Sequence, residues 1–463
     1  VQHTARPISR VMNRRAFLTV SGLMTIAASS SRSVEQVGAG NHVNVDAFGA
    51  SYDESPSRNL EAFRAAITAT PAGGTLLIPR YEGSSLGATY RIDTSGGLSE
   101  ALVIDRPITI VLDGMIRATD GASGRNPPYI FAVTASDVHF TGGGTIAGPG
   151  QVDDSNNLDD AHHSGLIRVT GDRFQFIGPT VRDVPKIGIH LWKCSNATIS
   201  ALWTGGIARY TVGHTGLFGI RATGGGGHRI TNNRFERDIQ GRRLITGYFA
   251  GGLMGATTGD EITGNVADVH EKLAYLYTNH SRVANCHVIN ALRTDILRVV
   301  GSHNVVERLS ADRTQGGVSI YNGTHNTVRD CIFQNVRQAG IFISFLGDYR
   351  GGYTGTTISG NLIVAAPDAV GLQDGICLYL GAGETGNISV TGNRIEGAGT
   401  ASWKNAIRVE AIPPFFADRM TVSDNILHDS VNGLSLRRLH DARLDRNEAA
   451  RLRGGEALLW ITS

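Results

Sequence analysis

Gly317-Val-Ser-Ile320 and Gly340-Ile-Phe-Ile343 are two copies of one phrase: a small residue, an aliphatic, a variable position, an aliphatic. The phrase recurs as Gly188-Ile-His-Leu191, Gly219-Ile-Arg-Ala222, Gly375-Ile-Cys-Leu378, Ala406-Ile-Arg-Val409 and Gly433-Leu-Ser-Leu436. A second phrase runs in phase behind it, as Ile230-Thr-Asn-Asn233, Ile262-Thr-Gly-Asn265, Ile358-Ser-Gly-Asn361, Val390-Thr-Gly-Asn393, Val422-Ser-Asp-Asn425 and Leu444-Asp-Arg-Asn447. Steps without an inserted loop are short, as from Val283 to Val305 to Thr327, and the longer ones add roughly ten residues. A coil of this size cannot bury its own apolar face, so it must stack on copies of itself. Strand-length phrases make that stack a β-solenoid.

Period-two alternation sends the aliphatics of each phrase inward and the variable residue outward. Asn361, Asn393, Asn425 and Asn447 then fall at one turn, where their amides can bond along the stack. Inserted segments at Leu346–Thr356, Ala382–Gly386, Thr400–Asn405 and Ala411–Asp418 read as loops that wall a groove. Upstream, Asn59 to Ile67 carries apolar residues at helical spacing, followed by strand patterns at Thr75–Pro79, Tyr90–Ile92 and Ile108–Gly114. A short helix there would cap the open edge of the first coil.

The chain has 463 residues, with 59 glycines and 13 prolines, which suits a turn-dense all-β protein. Its formal net charge of +2 provides no field for nucleic acid, and no basic cluster interleaved with aromatics occurs. The four cysteines (Cys194, Cys286, Cys331, Cys377) lack metal-ligand spacing and read as buried fillers. Cys286 and Cys331 lie two coils apart, about 9.6 Å from the strand spacing, too far for a disulfide. Asn13-Arg14-Arg15-Ala16-Phe17-Leu18 resembles the twin-arginine signature, and an apolar run to Ala28 follows. The expected organisation is an export signal over 1–31, a linker over 32–42 and one domain over 43–463. That implies passage through the twin-arginine export machinery to the periplasm or medium.

Residues 43–112 resemble the N-terminal signature of the pectate-lyase-like superfamily, which includes polygalacturonases, mannuronan C5-epimerases and phage tailspikes. The resemblance is carried by Phe48-Gly49-Ala50, the Ala62…Ile67 helix, Gly73-Gly74-Thr75, and Ile78-Pro79 with Tyr90. Gly142-Gly-Gly-Thr-Ile-Ala-Gly-Pro-Gly150 and Val184 to Ile199 are similar to polygalacturonase segments. The resemblance implies an all-β, single-stranded right-handed parallel β-helix with a short N-terminal helical cap. It also implies a polysaccharide partner, calcium as a candidate cofactor, and a homotrimer by analogy with tailspikes, although no trimerisation segment is present. The polygalacturonase catalytic residues are missing: Thr211 to Ile220 holds no aspartate, and there is no Arg-Ile-Lys.

Register between coils assembles a different candidate site. Asn233-Arg-Phe-Glu-Arg-Asp238 aligns with Asn265-Val-Ala-Asp-Val-His270, which stacks Glu236 over Asp268 and Asp238 over His270. Adjacent strands lie about 4.8 Å apart, so the two carboxylates repel and one is favoured as an acid. Glu236, Asp238, Asp268 and His270 are therefore the catalytic candidates. Arg237, Tyr275, Tyr277, Arg293, Asp295, Asp312 and Arg313 are the substrate-binding candidates, with His190 and Arg221 facing outward one line over. Elimination or C5-epimerisation of a uronate would use His270 or a tyrosine as base, a tyrosine as donor, and Arg237, Arg293 or calcium on the carboxylate. Hydrolysis would pair Glu236 with Asp268, at a separation that suits retention. The competing class is a non-catalytic glycan-binding or cell-envelope repeat protein, in which these charges only pair with one another on a solvated face.

Overall fold

The computed structural model describes residues 41–81, 88–94, 100–119, 129–149, 151–152, 165–184, 186–207, 209–210, 218–236, 244, 246–251, 255–345, 352–369, 374–381, 385–398, 403–413, 415–452 and 457–461. The expected export signal and most of the linker lie outside these residues.

The chain winds through three long parallel sheets, one strand per sheet in each coil. The first sheet runs from His42–Asn44 to Arg443–Asp445, the second from Thr89–Ile92 to Glu448–Ala450, and the third from Glu100–Ile104 to Leu458–Ile461. Every repeated Gly-aliphatic phrase lies in the third sheet and every aliphatic-x-x-Asn phrase opens in the first. Ile189 pairs with Ile220, and Val318, Ile341, Ile376, Ile407 and Leu434 continue in register, all buried. Fully burying one such side chain is worth about 1.5–3 kcal/mol, and the repeat multiplies that gain along the stack.

The small residue of the phrase has a steric cause. A Cβ on Gly317 would lie 2.0 Å from the Gly340 carbonyl oxygen of the next coil, and one on Gly188 would lie 2.4 Å from that of Gly219. The coils approach too closely for a side chain at those two positions, whereas Ala406 fits a buried methyl at the equivalent place of its own coil.

Asparagines close the turn between the first and second sheets. The Asn393 Oδ1 accepts from the Asn361 backbone N–H at 3.1 Å, Asn425 serves Asn393 at 3.0 Å, and Asn447 serves Asn425 at 3.2 Å. Each Nδ2 donates back to a strand carbonyl, Asn361 to Val328 and Asn393 to Ile358. Asn233 and Asn265 form the same link. Between the two runs, Cys286, Leu309 and Cys331 occupy this turn. Cys286 and Cys331 are therefore separated by a whole coil, and all four cysteines are buried and free. Burial pushes the Cys286 thiol up to about 11 and that of Cys331 to about 12.

A helix spans Pro56–Ala69, a turn beyond the expected Asn59–Ile67. Ser55 caps it by accepting from the Arg58 N–H at 3.3 Å, and Pro56 stands at the first position, where its missing donor costs nothing. Ala62, Phe63, Ala66 and Ile67 face inward over the first coil.

Two sequence expectations are corrected. Val283 pairs with Val306 rather than Val305, because alternation turns Val306 inward and Val305 outward, and Val305 itself pairs with Thr327. Trp403 to Asn405, assigned to a loop, opens the strand Trp403–Ala411, and the Trp403 indole is fully buried.

Candidate functional site

The strand Arg234–Glu236 lies beside Val266–Asp268 in the second sheet, with Phe235 opposite Ala267. This places Glu236 in register with Asp268, as the alignment requires. The Glu236 carboxylate is engaged: Arg234 donates to Oε1 at 2.9 and 2.6 Å, and the Trp203 indole N–H donates to Oε2 at 3.2 Å. Asp268 is buried and accepts from Asn290 Nδ2 at 3.5 Å. Asp312 lies two strands further along the same line and accepts from Asn335 Nδ2 at 2.6 Å, with Arg313 Nε at 3.3 Å. Arg237 and Asp238 lie outside the described residues.

The chain then turns into the third sheet. His270 stands on that turn, its backbone N–H donating to the Leu244 carbonyl at 2.8 Å. Arg293 occupies the equivalent turn one coil on and faces Glu271 at 3.7 Å. The strand Lys272–Asn279 presents Tyr275 and Tyr277 outward, their hydroxyls 2.7 Å apart and their rings stacked at 5.0 Å. On the next strand, Asp295–Val300, Asp295 grips Arg298 through both oxygens at 3.1 and 2.9 Å. The Arg298 guanidinium lies over the Tyr275 ring at 5.2 Å and over Tyr321 at 5.1 Å.

The sequence-derived set is thus divided between two faces. Glu236, Asp268, Asp312 and Arg313 belong to the second sheet, Tyr275, Tyr277 and Asp295 to the third, with His270 and Arg293 on the corner between them. Of these faces, the third sheet borders a concavity. A cleft of about 280 Å³ opens there, lined by Arg293, Asp295, Arg298, Ser319, Tyr321 and Phe342.

Its electrostatics have separable causes. Burial works against the Arg298 charge, but the paired bonds from Asp295 outweigh it and hold the guanidinium more firmly protonated. Burial also lowers the Lys272 ammonium, although Asp295 lies 3.6 Å from it and opposes the shift. Burial raises the Tyr321 hydroxyl, and the Arg298 charge partly offsets this.

One outward column links this cleft to earlier coils. Arg168, His190, Arg221, Phe249, Tyr275, Arg298, Ser319 and Phe342 follow each other strand by strand. His190 is fully buried, with Nδ1 2.8 Å from the Tyr129 hydroxyl and Nε2 3.3 Å from Thr223 Oγ1. Arg298 and Phe249 escaped sequence reading because their strands lack the complete Gly-aliphatic-x-aliphatic phrase. The available signal was register: each stands where the variable residue of the phrase would be. Among the described residues, no three or more His, Cys, Asp or Glu side chains are grouped to hold a metal ion, so no residue is assigned to calcium.

The comparisons agree with this architecture. A family described as "Right handed beta helix region" matches residues 164–395, half of the chain. No curated protein matches in sequence. A surface adhesin of Streptococcus pneumoniae, PfbA, superposes with a TM-score of 0.54 at 13% identity, covering 86% of this chain and 91% of the adhesin. The tailspike protein of E. coli bacteriophage HK620 superposes with a TM-score of 0.53 at 12% identity, covering 91% of this chain and 78% of the tailspike. A second form of that tailspike, in complex with a pentasaccharide, gives 0.52 at 12% identity, covering 90% and 79%. These identities carry the fold alone. With a matching family over half its length and parallel coils throughout the described residues, the chain belongs to the right-handed β-helix family.

Proposed function

We propose that this is an exported protein that takes an acidic polysaccharide along the outer face of the third sheet and abstracts the proton beside a uronate carboxylate, giving elimination or C5-epimerisation. One observation carries the reading: the Tyr275 and Tyr277 hydroxyls lie 2.7 Å apart, and the Tyr275 ring packs on Arg298, which lines a cleft. A tyrosine pair can pass a proton, one hydroxyl accepting while the other donates. In elimination the C5–H pair becomes the new double bond and the O4 leaving group takes a proton. In epimerisation the other hydroxyl delivers its own proton to the opposite face of C5. Arg293, half open to solvent at the lining of the cleft, is the cation offered to the carboxylate. The twin-arginine-like segment at Asn13 to Leu18 supports export, to the periplasm or beyond. That a tailspike of this fold is held with a pentasaccharide makes a glycan a natural occupant.

Hydrolysis by Glu236 and Asp268 is the weaker alternative, since Glu236 is already held by Arg234 and Trp203. A non-catalytic glycan binder is the second reading, favoured by Asp295, which already neutralises Arg298.

Incubation with polygalacturonate, alginate and hyaluronate separates these readings. Ultraviolet absorbance from unsaturated uronates reports elimination, solvent deuterium uptake at C5 reports epimerisation, and reducing ends without absorbance report hydrolysis. The proposal expects one of the first two signals and a loss of about 100-fold in Tyr277→Phe. Binding without any of these signals selects the non-catalytic reading.

A further inference from the structure

The column leading to the tyrosine pair contains a cation with no counter-charge paired to it among the described residues. Arg221, on the strand Phe218–Thr223, is 7% exposed. Its guanidinium lies between two phenyl rings, with Cζ 5.6 Å from the Phe218 centroid and 5.4 Å from that of Phe249. Its Nε is buried without a hydrogen-bond partner. Among the described residues no carboxylate pairs with it, whereas Arg298 has Asp295, Arg408 has Glu410 and Arg117 has Asp183. Its strand neighbour His190 supplies no negative charge, being engaged with Tyr129 and Thr223.

An unpaired buried guanidinium is costly, because two aromatic faces replace only part of the hydration it loses. Buried charges are ordinarily matched by a counter-charge or by a ligand. Burial depresses the basicity of Arg221, which marks the same imbalance. Phe249 and Tyr275 follow Arg221 directly in register, so Arg221 stands two strand steps, about 9.6 Å, from the tyrosine pair.

We propose that Arg221 anchors a carboxylate of the bound polymer, on a sugar neighbouring the one that reacts at Tyr275 and Tyr277. With so little of the side chain open, a small terminal group reaches the guanidinium and a sugar ring does not. The carboxylate accepts two N–H bonds from the planar fork in a site shielded from water, where charge-assisted bonds are strongest. The identity of the anion rests on the acidic-glycan reading, while the need for an anion rests on the unpaired charge alone.

The test compares wild type with Arg221→Met and Arg221→Lys. Calorimetric titration uses polygalacturonate, alginate, hyaluronate and their carboxyl-reduced forms, and thermal melts are recorded without ligand. The expected result has three parts. Wild type binds an acidic polymer and binds its carboxyl-reduced form at least about tenfold more weakly. Arg221→Met loses a similar factor yet melts higher than wild type without ligand, because an uncompensated charge has been replaced by an apolar side chain of similar length. Arg221→Lys keeps the charge but loses the fork, and binds at an intermediate level. Unchanged affinity in Arg221→Met overturns the anchor and leaves the acidic-glycan reading standing. A lower melting point in Arg221→Met assigns Arg221 a structural role and also overturns the anchor. If wild type binds none of the acidic polymers, both proposals fall.

Discussion

Glu307 shows how a single side chain can tie coils together. It stands at the end of the strand Val305–Glu307 in the first sheet, nearly fully buried. Arg282 from the coil before donates to it at 2.9 Å, Arg329 from the coil after at 2.9 Å, and its neighbour Arg308 at 2.8 Å. The hydrogen bond from Arg282 is the largest influence on its carboxyl. Together with Arg329 and the surrounding positive charge it outweighs desolvation and holds the group down at about 2, against an ordinary 4.5. A carboxylate whose pKa falls on folding adds stability that is complete above the unfolded value and disappears as pH drops through the folded one. Glu307→Gln should therefore melt below wild type at neutral pH, with the gap narrowing from about pH 4.5 downward and nearly closed by about pH 2. Melts across that range check this, and a gap of constant size at every pH refutes it. Outward direction could be read from the sequence at this scale, because alternation alone turns His190 and Arg221 away from the core. Partnership could not. Arg298 has its carboxylate three residues away on its own strand, whereas Arg221 has none among the described residues, and only coordinates distinguish them.

At the scale of elements, the two repeated phrases do different work. The glycine of the first lets successive coils approach, and the asparagine of the second closes the turn by spending its amide on backbone groups of neighbouring coils. Asn393 takes part in both directions: it accepts from Asn361 and donates to the Ile358 carbonyl and to Asn425 Oδ1. Asn393→Ala leaves the Asn361 N–H buried without its acceptor and removes the amide bond to the Ile358 carbonyl, at a cost of about 1–3 kcal/mol. Urea unfolding should show a lower midpoint with an unchanged slope, and a shift within error of zero would remove the ladder's claim to stability. Both phrases could be read because each repeats a physical necessity that only one or two residue types meet. The stretch where Cys286, Leu309 and Cys331 replace the asparagines was less readable, since an apolar turn residue carries no pattern of its own. The one-residue slip at Val305 arose similarly, from two adjacent valines that composition cannot orient. The candidate site suffered most: the sequence placed Glu236, Asp268, Tyr275 and Tyr277 on successive strands, but only the coordinates assign the first two to one sheet and the tyrosines to another.

Across the whole molecule, each coil touches only its neighbours, so stability propagates along the axis rather than through one central core. The ends are then decisive, because a terminal coil has one stacking partner instead of two and leaves its apolar interior open. The helix Pro56–Ala69 answers this at the N-terminal end, with Phe63 fully buried and its ring edge-on to Tyr90 at 5.5 Å. Phe63→Ala removes about 3–5 kcal/mol of packing, and the nearest-neighbour argument predicts where the loss is felt. Hydrogen exchange should accelerate first in His42–Asn44, Thr75–Ile78 and Thr89–Ile92, with the effect fading coil by coil and leaving Thr421–Ser423 at its wild-type rate. A globally cooperative domain would instead distribute the same loss over every strongly protected amide. Uniform acceleration from the first coil to the last would therefore refute the nearest-neighbour picture, and with it the reason for placing a helix over the open end.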